Sequence, residues 1–137
     1  MVRDQDQRTA LVLLLLDGLE RRGLTPMREY EVHQLVRDLQ RSVGQPFRFH
    51  DAPISYSYEL NEHLRRLEKG HYLDEVILVR DGWVPRFEYE LSGVGRAEAL
   101  DTRERFRLIV PEILDDIERK LDEFCLSYRP PEPISPR

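Results

Sequence analysis

Cysteine is almost missing: Cys125 is the one thiol in 137 residues. It cannot form an internal disulfide, and no cysteine cluster can hold a structural metal, which excludes secreted disulfide scaffolds and zinc fingers. A reducing, cytoplasmic setting is expected. Long apolar runs are missing too. The stretch Ala10 to Leu16 is far short of the roughly 20 residues that cross a bilayer, so no membrane segment is expected. The opening Met1-Val-Arg-Asp-Gln-Asp-Gln-Arg8 mixes both signs, and no small-residue cleavage site follows, so no secretory signal is expected. A basic surplus is also lacking. The formal net charge is −5, whereas a nucleic-acid binder usually carries excess cations, so any claim to bind nucleic acid rests on local charge.

What is present is a chain of single-domain size, 40% apolar and 34% charged, with six Tyr, five Phe and one Trp for packing. Helix formers run from Asp6 to Arg22, closed by Gly23 after two arginines that favour the carbonyl end of a helix. The centre of this first helix, Leu11 to Leu16, is apolar on every face and so belongs in a core or a subunit interface. Thr25-Pro26 has the chemistry of a helix start, and a second helix is expected from there to about Val43, with Tyr30, Leu35, Val36 and Leu39 inward. Pro46, Asp51 and Pro53 make 45–53 a connection, with Phe47 and Phe49 on a short extended stretch. A third helix is expected from near Ser55 to Gly70. Its stripe Tyr56, Leu60, Leu64 and Leu67 follows the 3.6-residue period, and Ser57, Tyr58, Asn61, Glu62, Arg65, Arg66 and Lys69 lie opposite.

The period then shortens to two. Tyr72 to Val79 and Trp83 to Leu91 flank Asp81-Gly82, a hairpin signal, and Pro85 predicts that the returning strand is an edge. Ser92 caps a helix to about Leu100, and a longer one is expected from about Arg103 to Ser127 with a break or kink at Pro111. Val110, Leu114, Ile117, Leu121 and Phe124 make a heptad seam for one partner helix. The segment 129–137 holds four of the nine prolines and is expected to be disordered.

The expected class is therefore α+β, mostly α: a winged helix-turn-helix domain with a two-stranded β-hairpin wing over 1–100. A helical dimerisation segment over 101–128 and the proline-rich tail complete it. In that layout the third helix can enter the major groove and the hairpin lies against the backbone or minor groove. The stretch from Tyr58 to Leu73, with Leu64, Leu67 and Gly70 in it, resembles the recognition-helix run of PadR-like bacterial winged-helix regulators. The stretch Phe87-Glu-Tyr-Glu-Leu-Ser-Gly-Val-Gly-Arg96 is similar to their exit from the wing. The resemblance covers roughly residues 10–100 and implies a cytoplasmic, DNA-binding transcriptional regulator acting as a homodimer.

The candidate DNA contacts are Ser57, Tyr58, Asn61, Arg65, Arg66 and Lys69 on the helix, and Arg80 and Arg86 on the wing. Cations would meet phosphates and polar side chains would meet base edges. Leu13, Leu16 and the heptad seam are the candidate dimer surface. Against the DNA reading, Gly23 to Leu91 holds nine basic residues and twelve acidic ones, so a winged helix used as a protein interaction module is the alternative.

Enzymatic readings are weaker. Cys125 sits in the apolar run Phe124-Cys-Leu126, where a buried, unactivated thiol is expected. His50, His63 and His71 with Asp51 or Asp74 are the only candidate metal set, and the four histidines include no i, i+4 pair. Gly93-Val-Gly95 lacks the third glycine of a dinucleotide fingerprint. No catalytic residue, metal or cofactor is expected.

Overall fold

The computed structural model describes residues 4–50, 56–78 and 85–129. It is α+β and mostly helical: α1 (Asp4–Arg21), β1 (Met27–Arg28), α2 (Glu29–Leu39) with a 3-10 turn at Gln40–Ser42, α3 (Tyr58–Lys69), β2 (Leu73–Leu78), β3 (Arg86–Leu91), α4 (Gly93–Ile109) and α5 (Pro111–Ser127). Among the described residues no helix is long and apolar enough to cross a membrane.

The all-round apolar helix is the hub. Leu11, Val12, Leu13, Leu14, Leu15, Leu16 and Leu19 are all buried, and α1 touches every other helix and β3. Each of these leucines contributes about 1.5–3 kcal/mol by leaving water. α1 ends where Gly23 takes a positive φ of 73° and the Leu24 amide donates to the Leu19 carbonyl at 2.9 Å.

Thr25-Pro26 does not open a helix. Met27 and Arg28 are extended instead and pair antiparallel with Tyr89 and Glu88, so α2 starts at Glu29. Its inner face is Val32, His33, Leu35, Val36 and Leu39, while Tyr30 points to solvent. The pairing of β1 also changes the sheet. It is three-stranded in the order β1-β3-β2, so β3 is the central strand and not an edge. β2 and β3 form the expected antiparallel ladder, from Leu73 opposite Leu91 to Leu78 opposite Arg86. The Asp81-Gly82 turn lies outside the described residues.

α3 keeps the expected stripe, with Leu60, Leu64 and Leu67 buried. Its start is Ser57, whose Oγ accepts from the Leu60 amide at 3.1 Å. Ser92 caps α4 by accepting from the Gly95 amide at 3.0 Å. α4 runs unbroken to Ile109, so the expected break near residue 101 is absent and the 100/101 domain boundary falls inside one helix. The break is at Val110, and Pro111 opens α5 at a position where its missing N–H is harmless.

Candidate nucleic-acid interface

The orientation of α3 is fixed at its N-terminus. Ser57 is fully buried, its side chain spent on the cap and its amide donating to His33 Nδ1 at 3.1 Å. It is therefore withdrawn from the set that could meet a base edge. His33, one of the four histidines and not singled out by the sequence, is the residue that accepts from the Ser57 amide at the α3 cap. Its ring stacks on Tyr56 at 4.5 Å, and Tyr56 meets Tyr58 edge-on at 5.1 Å. The only signal in the sequence is its place between Val32 and Val36 on the inner stripe of α2. Burial pushes the His33 imidazole down to about 4. The neutral ring accepts at Nδ1, so the proton sits on Nε2, 3.8 Å from Glu29 Oε1.

With Leu60, Leu64 and Leu67 inward, the outermost line of α3 is Tyr58, Glu62, Arg65 and Lys69, flanked by Asn61 and Arg66. Tyr58 is 70% exposed. Arg65, Arg66 and Lys69 are exposed, and Asn61 is half-buried. The acidic neighbours are partly engaged elsewhere. Glu59 turns aside to Arg8 at 3.0 Å and accepts the Arg48 amide at 2.6 Å, which with Arg8 holds its carboxyl below the ordinary range. Glu62 meets Arg66 at 3.5 Å, an exposed i, i+4 pair.

Between α3 and the sheet lies a groove of about 380 Å³ lined by Glu29, Asn61, Arg65, Glu68, Lys69, Glu75, Phe87 and Tyr89. Burial first, and then the neighbouring Glu75, push the Glu29 and Glu68 carboxyls up. Burial and the same carboxylates push the Tyr89 phenol up. Three carboxylates thus share one groove with Arg65 and Lys69. On the hairpin, Arg86 Nε lies 2.7 Å from Glu88 Oε2, so its charge is matched within the sheet. Arg80 lies outside the described residues.

The residues expected to meet a second subunit are turned inward. Leu13, Leu16, Leu114, Ile117 and Leu121 are all buried in the chain's own core, and Val110 and Phe124 are half-buried. α5 folds back on α1 of the same chain, where Arg22 Nη2 reaches Glu118 and Asp122 at 2.8 Å each. A heptad seam requires a partner helix, and α1 is that helix. Phe124 stacks on Tyr128 at 4.8 Å.

Cys125 is exposed, not buried, because the inward line of α5 passes through Leu121 and Phe124. His63 is buried with Nε2 3.1 Å from the Thr9 hydroxyl, whereas His50 and His71 are exposed. Among the described residues no three His, Cys, Asp or Glu side chains come together to hold a metal. Compared with known proteins, the chain matches no family model, no curated protein and no solved structure.

Proposed function

We propose that the chain is a winged helix-turn-helix protein that binds double-stranded DNA through α3 and regulates transcription in the cytoplasm as a homodimer. The observation that carries the reading is the outer face of α3. Three exposed cations stand there on a helix held rigidly from beneath, beside a β-hairpin. The order of two helices joined by a short strand, a third helix and a hairpin supports it. Arg65, Arg66 and Lys69 would meet phosphates, Asn61 would reach a base edge, and Tyr58 would lie against the sugar-phosphate backbone. Arg86 would follow the duplex from the second strand of the hairpin, with its charge already offset by Glu88; Arg80, outside the described residues, enters the proposal from the sequence alone.

One observation favours the second reading, a winged helix that binds another protein. Glu29, Glu68 and Glu75 beside Arg65 would repel phosphate and suit a basic peptide segment. Fluorescence anisotropy with a labelled random duplex at low salt separates the two. The DNA reading expects binding that Arg65→Ala with Arg66→Ala weakens for every sequence, and that Asn61→Ala changes in sequence preference. A folded protein that binds no duplex at low salt leaves the interaction module.

A further inference from the structure

Glu29 at the start of α2, Glu68 in the last turn of α3 and Glu75 on β2 come from three elements, yet all three line the groove beside α3. Each is half-buried, and among the described residues none forms an ion pair with a lysine or arginine. Arg65 and Lys69 line the same groove, so three carboxylates stand against two cations and one negative charge is left over. Beneath Glu29, His33 is 1% exposed, and its Nε2 N–H has no hydrogen-bond partner although it faces Glu29 Oε1 at 3.8 Å. A buried donor aimed at the groove without an acceptor is a second sign that the groove is not balanced from within the chain. The sheet adds an apolar wall. Tyr89 lies opposite Glu75 and Phe87 opposite Ile77, and these four share one face because strand positions two apart do. Ile77 and Phe87 are exposed, so an apolar shelf leads from solvent to the carboxylates.

We propose that this groove binds the ammonium group of an alkylamine, with the ammonium among Glu29, Glu68 and Glu75 and the carbon chain lying over Phe87 and Ile77. A bare metal ion does not suit, because among the described residues no three His, Cys, Asp or Glu side chains come together to hold one. An ammonium carries three N–H donors and spans carboxylates set more widely. An anion would add to the surplus negative charge, and a wholly apolar ligand would leave it unmatched. The volume of about 380 Å³ takes a single side chain or a small molecule. An ammonium here also keeps Glu29 ionised, and an ionised Glu29 is the acceptor that His33 Nε2 lacks. A free amine and a lysine side chain present the same group. The lysine source rests on the interaction-module reading, whereas the free amine rests on neither that reading nor DNA binding.

The test is a titration of the full chain without duplex, followed by amide chemical shifts. Butylamine hydrochloride should bind in the millimolar range and shift the amides of Glu29, Glu68, Glu75 and Phe87. Butanol, of the same length and uncharged, should not. N-acetyl-lysine methylamide should act at the same residues: tighter binding than butylamine marks a partner's lysine as the source, and weaker binding marks a free amine. Glu68→Gln with Glu75→Gln should weaken butylamine about tenfold while leaving the far-ultraviolet circular dichroism spectrum unchanged. Phe87→Ala should weaken butylamine more than methylamine, since only the longer chain reaches the shelf. Butanol that binds as well as butylamine, shifts that miss these residues, or butylamine binding untouched by the double glutamine variant would overturn the proposal. The butanol comparison needs no variant, so it decides even where a variant fails to fold.

Discussion

His33 and His63 are both buried with their imidazoles pushed down to about 4, by desolvation and, for His63, also by Arg8 and Arg66. The ordinary imidazole takes its proton near 6.5. Between those values the unfolded chain holds protons that the folded chain does not, so stability falls as pH drops through that window and is level above it. Each ring contributes up to about 1.4 kcal/mol per pH unit there. Urea titrations from pH 7 to 4 should show the fall. His33→Asn, which keeps an acceptor for the Ser57 amide but cannot titrate, should make it clearly shallower; an unchanged slope would mean that His33 is protonated in the fold. A second residue acts through shape. A Cβ on Gly95 would collide with the Tyr72 carbonyl oxygen, a backbone atom that cannot step aside. Gly95→Ala should therefore cost about 1–3 kcal/mol, visible as a lowered melting temperature.

Among the elements, α3 is the clearest case of a pattern that local chemistry settles. Leu60, Leu64 and Leu67 repeat at helical spacing and are buried. Leu64→Ala should cost about 2–5 kcal/mol as a cavity variant, and a loss under about 0.5 kcal/mol in a denaturant titration would mean that the inward face is misassigned. The β2–β3 ladder, the Ser92 cap and the Pro111 break were legible for a related reason, since each is set by residues close in sequence, at most 18 positions apart from Leu73 to Leu91. β1 was not legible. Two residues make a strand only because Tyr89 and Glu88, some sixty positions later, supply the ladder, while Thr25-Pro26 carries the chemistry of a helix start. Pro85 misled in a related way. It sits before Arg86, outside the ladder, and β1 pairs with β3 far from it, so a central strand tolerates it. The heptad seam of α5 was visible, but a seam reads the same whether its partner is α1 of one chain or a second copy. Of the candidate site, the exposed cations of α3 followed from its period. The buried Ser57, the role of His33 and the carboxylates drawn to Arg65 came from tertiary packing between α2, α3 and the sheet.

At the scale of the molecule, an acidic chain presents a small set of cations on one helix, and the proposed duplex binding rests on the electrostatics of that face. Glu62 offsets Arg66, and Glu29, Glu68 and Glu75 surround the groove that Arg65 enters, so the net positive field of α3 is modest. If α3 binds a duplex as proposed, few phosphates are neutralised, and affinity should depend on salt less steeply than for a strongly basic binder. The most direct test is the salt dependence of binding to a random duplex, followed from low to physiological ionic strength. Binding that weakens linearly on a log-log plot, with the slope reduced by about 1.8 when Arg65 and Arg66 are both alanine, is the predicted result. No binding at low salt, or a slope that the two substitutions leave unchanged, would contradict the assignment of α3 as the DNA-contacting helix.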